Sequence, residues 1–112
     1  MTPVGQRVAH LTKLSDTFLR DAQSGHLSPR GQLDAMFEAG YCALLTVVDD
    51  EVIQREEHPS IGIVRQVCRA LDIPTDIATQ YIVNKYAAAD DELPSFETMQ
   101  AWTGECRKRT IA

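Results

Sequence analysis

Residues 29–53, PRGQLDAMFEAGYCALLTVVDDEVI, form the longest and most apolar segment of the chain. Apolar residues recur in it at steps of three and four, a spacing that places them on one face of an α-helix. They are Leu33, Met36, Phe37, Gly40, Tyr41, Leu44, Val47, Val48 and Val52. Cys42 and Leu45 widen this apolar stripe, as expected of a helix at the centre of a bundle. The segment therefore predicts a single central helix over residues 29–53.

Two features of this segment need an explanation. A glycine within a helix, here Gly40, costs about 1 kcal/mol relative to alanine. The close approach of another helix would account for it, and a merely tolerated glycine accounts for it equally well. Asp49, Asp50 and Glu51 fall in the last turns, where the helix dipole disfavours anions. Either the helix ends early, or the acids have partners such as Arg55.

Helical spacing continues on both sides of the central segment, between recognisable start and stop signals. The predicted helices are residues 3–24, which start at Thr2-Pro3; residues 29–53, which start at Ser28-Pro29; a third from Ser60 to Asp72; a fourth from Thr75 to Tyr86; and a short last helix from Ser95 to Arg109. No segment alternates apolar and polar residues for long enough to indicate a strand. The sequence thus predicts an all-α protein, an up-down four-helix bundle with a fifth short C-terminal helix, in one domain over residues 1–112.

Composition and charge narrow the class of protein. The chain has 112 residues, of which 44% are hydrophobic and 24% are charged, and this is typical of a globular domain. The net charge is −5, and the bases Arg107, Lys108 and Arg109 are concentrated at the end. An acidic surface repels phosphate backbones, which disfavours broad binding of nucleic acid. A local basic patch assembled by folding stays open.

The cysteines and the apolar runs indicate in which cellular compartment the protein is expected. Cys42, Cys68 and Cys106 are widely spaced and include no CxxC pair, so no zinc site or redox dithiol is indicated. Reduced thiols in a small domain are typical of the cytoplasm. Met1–Gly5 shows no signal-peptide pattern, and the longest apolar run is too short to span a bilayer. We therefore expect a cytoplasmic protein without membrane contact.

Candidate catalytic and metal-binding groups are few. His58 lies beside Glu56 and Glu57, but this cluster lacks the HExxH spacing that places two histidines on one helix face. The acidic groups Asp49/Asp50, Glu56/Glu57 and Asp90/Asp91/Glu92 have the pattern of solvated charge runs. The sequence contains no phosphate-binding glycine loop and no GxSxG turn. We therefore predict no catalytic residue, no metal ligand and no cofactor site, and the balance leans toward a protein that is not an enzyme.

Four aromatic residues are candidates for an interface. Tyr41, Tyr81, Tyr86 and Trp102 lie on three predicted helices. Tyrosine and tryptophan favour interfaces because they combine an apolar ring with a polar group. They are candidates for lining a groove or a dimer face, and membership of the core is the alternative for most of them.

The stretch QLDAMFEAGYCALL (residues 32–45) resembles the second helix of HEPN domains, which shows an A…aYyAll pattern. His58-Pro59-Ser60, followed by an aliphatic helix that ends in RALD (residues 69–72), is similar to the next segment of some bacterial HEPN-like proteins. The resemblance covers roughly residues 28–90. It implies a compact helical bundle that is commonly dimeric. It also implies an association with RNA cleavage, toxin–antitoxin pairs or nucleotidyltransferase partners.

The ribonuclease motif of that family is absent here. Its ribonuclease members resemble one another in a short motif near the start of a late helix. In this motif an arginine is followed by a polar residue, then by four to six residues of any type, and then by a histidine. In this chain Arg55 and His58 are three apart and precede the third helix, and residues 75–86 contain neither arginine nor histidine. No catalytic role is therefore transferred. Arg55, His58, Arg65 and Arg69 are the candidate polar cluster that could form a basic groove across a dimer.

Three hypotheses of function follow. The first is a non-catalytic helical bundle that acts through protein contacts as a homodimer. The second is a HEPN-type RNA-associated protein or a relative of its ribonucleases. The third is a small-molecule binder that uses the bundle core, because helical bundles build sites between facing helices.

Overall fold

The computed structural model describes residues 2–86 and 92–111. It consists of the helices α1 (Pro3–Gln23), α2 (Pro29–Leu45), α3 (Asp50–Arg55), α4 (Ile61–Ala70), α5 (Asp76–Asn84) and α6 (Phe96–Thr110). The described residues include no strand, so the predicted all-α class is confirmed. None of the described helices combines the length and the apolar character needed to cross a membrane. Asp90 and Asp91 of the predicted acidic loop lie outside the described residues.

The helix starts follow from hydroxyl side chains at the N-caps. Thr2, Ser28, Ser60 and Ser95 each accept a hydrogen bond from the backbone N–H three residues further on. Each hydroxyl thereby satisfies one of the N–H groups that the first turn leaves without a helical partner. These four starts lie where the sequence predicted them.

The prediction of one helix over residues 29–53 is wrong, because α2 ends at Leu45. Beyond it, the N–H groups of Thr46, Val47 and Val48 donate to the carbonyls three residues earlier, at 3.1–3.2 Å. A new helix, α3, then begins with Asp49 at its N-cap. Asp50 therefore lies in a first turn, where the helix dipole favours an anion. The early end of α2 resolves the charge conflict that the sequence left open.

The last helix is more central than predicted. α6 spans 15 residues, and α2 packs mainly against α1 on one side and α6 on the other. The predicted fifth short helix is thus one of the principal partners of α2, and the described helices number six. The core is continuous along α2, where Met36, Phe37 and Leu44 are completely buried.

α6 approaches α2 closely at Gly40. A Cβ atom at this position would lie 2.6 Å from Cζ3 of Trp102 and 2.8 Å from Oγ1 of Thr103. The Thr103 hydroxyl donates to the Met36 carbonyl at 2.7 Å, which holds α6 against α2. Of the two explanations that the sequence allowed for Gly40, close approach of another helix is confirmed.

Hydrogen bonds also connect α1 to both α2 and α6. The buried Ser15 hydroxyl donates to the Ala39 carbonyl at 2.6 Å. Arg107 donates through Nη1 to Ser15 Oγ at 2.6 Å and through Nη2 to Asp16 Oδ1 at 2.8 Å. Arg107, at the basic end of the chain, thus fastens α6 to α1.

Candidate functional site

Three of the four candidate interface aromatics are buried around Phe37. Tyr41, Tyr81 and Trp102 are each 2% exposed, with ring centroids 5.6, 4.3 and 5.8 Å from that of Phe37. Tyr86 is 90% exposed, and the amino group of Lys85 lies 5.0 Å from its ring centroid. Within this chain, Tyr86 is thus the member of the set that is accessible to a partner.

His58 is held by both of its ring nitrogens. Nε2 lies 2.7 Å from the Ile53 carbonyl, which can only accept, so Nε2 carries the proton. Nδ1 is then the acceptor for the Tyr41 hydroxyl, at 2.5 Å. The Ser60 N–H donates to the same Tyr41 oxygen at 2.9 Å. His58 and Tyr41 therefore tether the segment before α4 to α2, and in this arrangement His58 has no ring nitrogen left for a metal or a proton transfer.

The other members of the predicted polar cluster stay apart from His58. Arg55, Arg65 and Arg69 are exposed. Within residues 2–86 and 92–111, no hydrogen bond or ion pair joins them to one another or to His58. Arg55 ends α3, whereas Arg65 and Arg69 lie one turn apart on α4. The structure thus brings together only the last two.

A second polar network, which sequence reasoning missed, lies along α2. The Tyr81 hydroxyl donates to Asp34 Oδ1 at 2.6 Å, and Arg30 Nε donates to the same oxygen at 3.0 Å. Arg30 also donates to the Lys85 carbonyl, which ties α2 to the end of α5. Burial raises the pKa of Glu38, an effect that Lys85 opposes. The sequence feature that could have indicated this network is the spacing of Arg30, Asp34 and Glu38. This spacing places three charges on one side of an otherwise apolar helix.

The chemistry available to these groups is limited. Burial raises the pKa of Tyr41 and of the Cys42 thiol to about 12, so both groups stay protonated at neutral pH. Burial also raises the pKa of the Cys106 thiol. A thiol is a weak nucleophile until it ionises. In the described part of the chain, no three His, Cys, Asp or Glu side chains are grouped so that they could hold a metal ion.

An apolar groove lies between the α2–α3 turn and α4, and we call it the α3–α4 groove. Its volume is about 340 Å³, and its lining includes Val47, Val48, Val52, Ile63, Val67 and Leu71, with the polar residues Asp49 and Gln66. Val47 is 53% exposed, although its side chain is apolar. Val47 is therefore available to a partner, unlike the buried aromatics, whereas Val48 and Ile63 at the base of the groove belong to the core.

Two further concave sites have different linings. A groove of about 390 Å³ between α1 and α6 is lined by Leu19, Gln100, Thr103, Gly104, Arg107, Lys108 and Ile111. A smaller one of about 190 Å³ lies beside Pro29, Leu33 and Phe96. The first site is lined by residues of α1 and of α6 and by Ile111 just after it, and the second by residues near the starts of α2 and α6, whereas the predicted ligand site was in the bundle core.

Comparison of the chain with protein-family models, with curated proteins and with solved structures finds no match. The resemblance to HEPN domains thus stays a prediction from residues 32–45 and 58–72.

Proposed function

We propose that the protein is a non-catalytic helical bundle that acts through protein–protein contacts and forms a homodimer. The observation that carries this proposal is the α3–α4 groove, where the apolar side chain of Val47 is 53% exposed. Burial of apolar surface is the main favourable term in protein association, so an apolar groove of this kind favours a protein partner.

The state of the polar groups supports a non-catalytic role. His58 uses both ring nitrogens to hold Tyr41 and Ile53, and Asp34 is bonded to Tyr81 and Arg30. These contacts connect one helix to another or a loop to a helix. The side chains best suited to acid–base chemistry therefore stabilise the fold.

Light scattering coupled to size-exclusion chromatography tests the homodimer at micromolar concentration. We expect a mass twice the 12.5 kDa of the chain. A strictly monomeric protein over this concentration range would contradict the proposal.

A HEPN-type, RNA-associated role is the second candidate. It is favoured by the exposed Arg65 and Arg69 on one face of α4. Incubation of the protein with total RNA, beside an Arg65→Ala/Arg69→Ala variant, tests it. Cleavage or a mobility shift that the variant lacks would support this role, and identical RNA patterns with and without protein would remove it.

A small-molecule binder is the third candidate, now with the α1–α6 groove as the favoured location because its volume of about 390 Å³ suits a small ligand. Thermal shift across a metabolite panel tests it.

We also propose a cytoplasmic location, since all three cysteines are free and buried. The up-down order of four helices remains part of the proposal, with α3 as an added short helix.

A further inference from the structure

Gly104 leaves an open space in the lining of the α1–α6 groove. Gln100, Gly104 and Lys108 follow one another at intervals of about one turn along α6, so they form one row on its surface. All three line the groove, and Leu19 lines it from α1. A Cβ atom added at Gly104 would meet nothing within 4 Å. The space that a larger residue would occupy at this position is therefore open to a ligand.

Nothing within the described chain accounts for a glycine at position 104. Glycine is the weakest helix former after proline, yet Gly104 lies well inside α6 and its φ is negative. At Gly40 the close approach of Trp102 explains the glycine, whereas no packed side chain meets the Cβ position of Gly104. Glycine also occurs where a ligand must come close to the backbone. A molecule bound over Gly104 would thus account for a residue that weakens its own helix.

The described residues that line the groove include two bases and no acid. The bases are Arg107 and Lys108, and the other lining residues are Leu19, Gln100, Thr103, Gly104 and Ile111. Arg107 is paired with Asp16 through Nη2. Lys108 is exposed, and within residues 2–86 and 92–111 its amino group makes no hydrogen bond or ion pair. In a chain of net charge −5, this groove therefore presents an unpaired cation.

The ligand that such a lining favours has an acidic head group and a short aliphatic part. A cation in a concave site raises the local concentration of anions, and an ammonium group forms strong hydrogen bonds with carboxylate or phosphate oxygens. Leu19 and Ile111 are partly buried against the core and contribute apolar surface to the same lining. The volume of about 390 Å³ falls within the range of about 300–1,000 Å³ that is typical of small-molecule sites.

We infer that the α1–α6 groove binds a small amphipathic anion, whose acidic group meets Lys108 and whose aliphatic part lies over Gly104, against Leu19 and Ile111. Arg107 holds α6 to α1 through its hydrogen bonds and so fixes the width of the groove. This inference rests on the small-molecule candidate proposed above and names its class of ligand. It does not depend on the homodimer.

Titration with octanoate, which joins a carboxylate to a short aliphatic chain, tests the inference by calorimetry and by the backbone amide signals in NMR. We expect saturable binding at millimolar concentration or below, with the largest signal shifts at Gly104 and Lys108. Octyl phosphate carries the other acidic head group on the same chain, and the ratio of the two affinities shows which head group the site prefers. Octylamine, whose head group is cationic, should not bind. Equal affinity for octanoate and octylamine would overturn the inference.

Gly104→Leu fills the groove and tests its location. We expect this variant to lose octanoate binding while it keeps the helical circular dichroism of the unaltered protein, because a Cβ at this position meets open space. Ala101→Leu is the matched control, since Ala101 is an exposed residue of α6 that does not line the groove. Undiminished octanoate affinity in a folded Gly104→Leu variant would mean that the ligand lies elsewhere, against the inference.

Lys108→Gln tests the charge. We expect it to weaken octanoate binding by about tenfold, since a hydrogen bond to a charged group is lost, and to leave the affinity for uncharged octanol unchanged. Lys13→Gln, at an exposed lysine of α1 that does not line the groove, is the control. If both variants bound octanoate equally well, Lys108 would not hold the acidic group and the inference would be wrong.

The metabolite panel separates a failure of this inference from a failure of the small-molecule candidate. If an uncharged or cationic metabolite binds and Gly104→Leu removes its binding, the groove is a ligand site but not for an anion, and only the inference fails. If octanoate, octyl phosphate and every metabolite of the panel leave the protein unchanged, the candidate and the inference fail together.

Discussion

Gly40 on α2 and Gly104 on α6 have surroundings that predict opposite responses to alanine. At Gly40 the added Cβ meets Trp102 and Thr103, both buried. Overpacking costs about 1–3 kcal/mol, which outweighs the gain of about 1 kcal/mol in helix propensity. We therefore expect Gly40→Ala to lower the free energy of unfolding in a denaturant titration.

Gly104 is the matched control for this substitution. It lies on α6, and a Cβ there meets nothing within 4 Å. Gly104→Ala should raise the free energy of unfolding by about 0.5–1 kcal/mol. A stabilisation of similar size at both glycines would contradict the close approach of α6 to α2.

Two hydrogen bonds depend on the Tyr41 hydroxyl group, one with His58 and one with Ser60. Tyr41→Phe leaves the buried Ser60 N–H without its acceptor and His58 Nδ1 without its donor. The loss of such a group costs about 1–3 kcal/mol, and we expect a fall of this size in the free energy of unfolding. Tyr86→Phe, at the exposed tyrosine, should change it by less than about 0.5 kcal/mol. Equal effects would mean that the tether does not stabilise the fold.

Glu38 predicts a pH-dependent effect. Burial raises the pKa of Glu38, so the folded protein binds this proton more tightly than the unfolded chain does. Stability therefore falls as the pH rises through the usual carboxyl range to the raised pKa. Glu38→Gln, which carries no charge, should stabilise the protein at pH 7, and the gain should disappear in acid.

Urea unfolding of the Glu38→Gln variant at a series of pH values measures this difference. Glu57→Gln, at an exposed loop glutamate, serves as the control and should show no such trend. A constant gain for Glu38→Gln at every pH would show that the substitution acts through packing and not through the charge.

At the scale of the helices, α2 is the element on which the core depends. Leu44 is completely buried in the last turn of α2. Truncation of a buried leucine costs about 2–5 kcal/mol, so Leu44→Ala should lower the free energy of unfolding by this amount. Val83→Ala, at an exposed valine, is the control. A loss below about 1 kcal/mol for Leu44→Ala in a denaturant melt would mean that α2 is not central.

The sequence predicted the helix starts well and the end of α2 poorly, and both results have a physical reason. The N-cap hydroxyls act within three residues, so their signal is local. The break after Leu45 is hidden because Val48 and Val52 still pack against the core, which continues the apolar spacing through the turn. The acids at 49–51 were the better indicator, since they favour a helix start.

The importance of α6 and of the polar contacts could not be read from spacing. Thr103 and Arg107 hold α6 to α2 and α1 through hydrogen bonds to residues more than 60 positions away. The His58 contact with Tyr41 likewise depends on how the loop folds back over α2. The sequence identified Val47 as an apolar residue, but its place in the lining of the α3–α4 groove follows only from the fold.

For the whole molecule, the three cysteines report on global unfolding. All three thiols are free and buried, and burial raises the pKa of Cys42 to about 12. We expect a thiol reagent to label none of them rapidly in the folded protein and all three in denaturant. Tyr86→Cys, which adds a thiol at an exposed site, should give one rapidly labelled group. Rapid labelling of the unaltered protein would indicate local opening of the core.

The contact at Gly40 has a consequence for the axial register of α6. If α6 were displaced by one turn along α2, the Trp102 ring would meet the side chain of Met36 or Leu44 instead of Gly40, which has no side chain. Alternative packings of α6 are thereby raised in energy, although the buried face of α2 is apolar on both sides of Gly40. A single missing side chain thus selects one native alignment from several that the apolar pattern alone would permit.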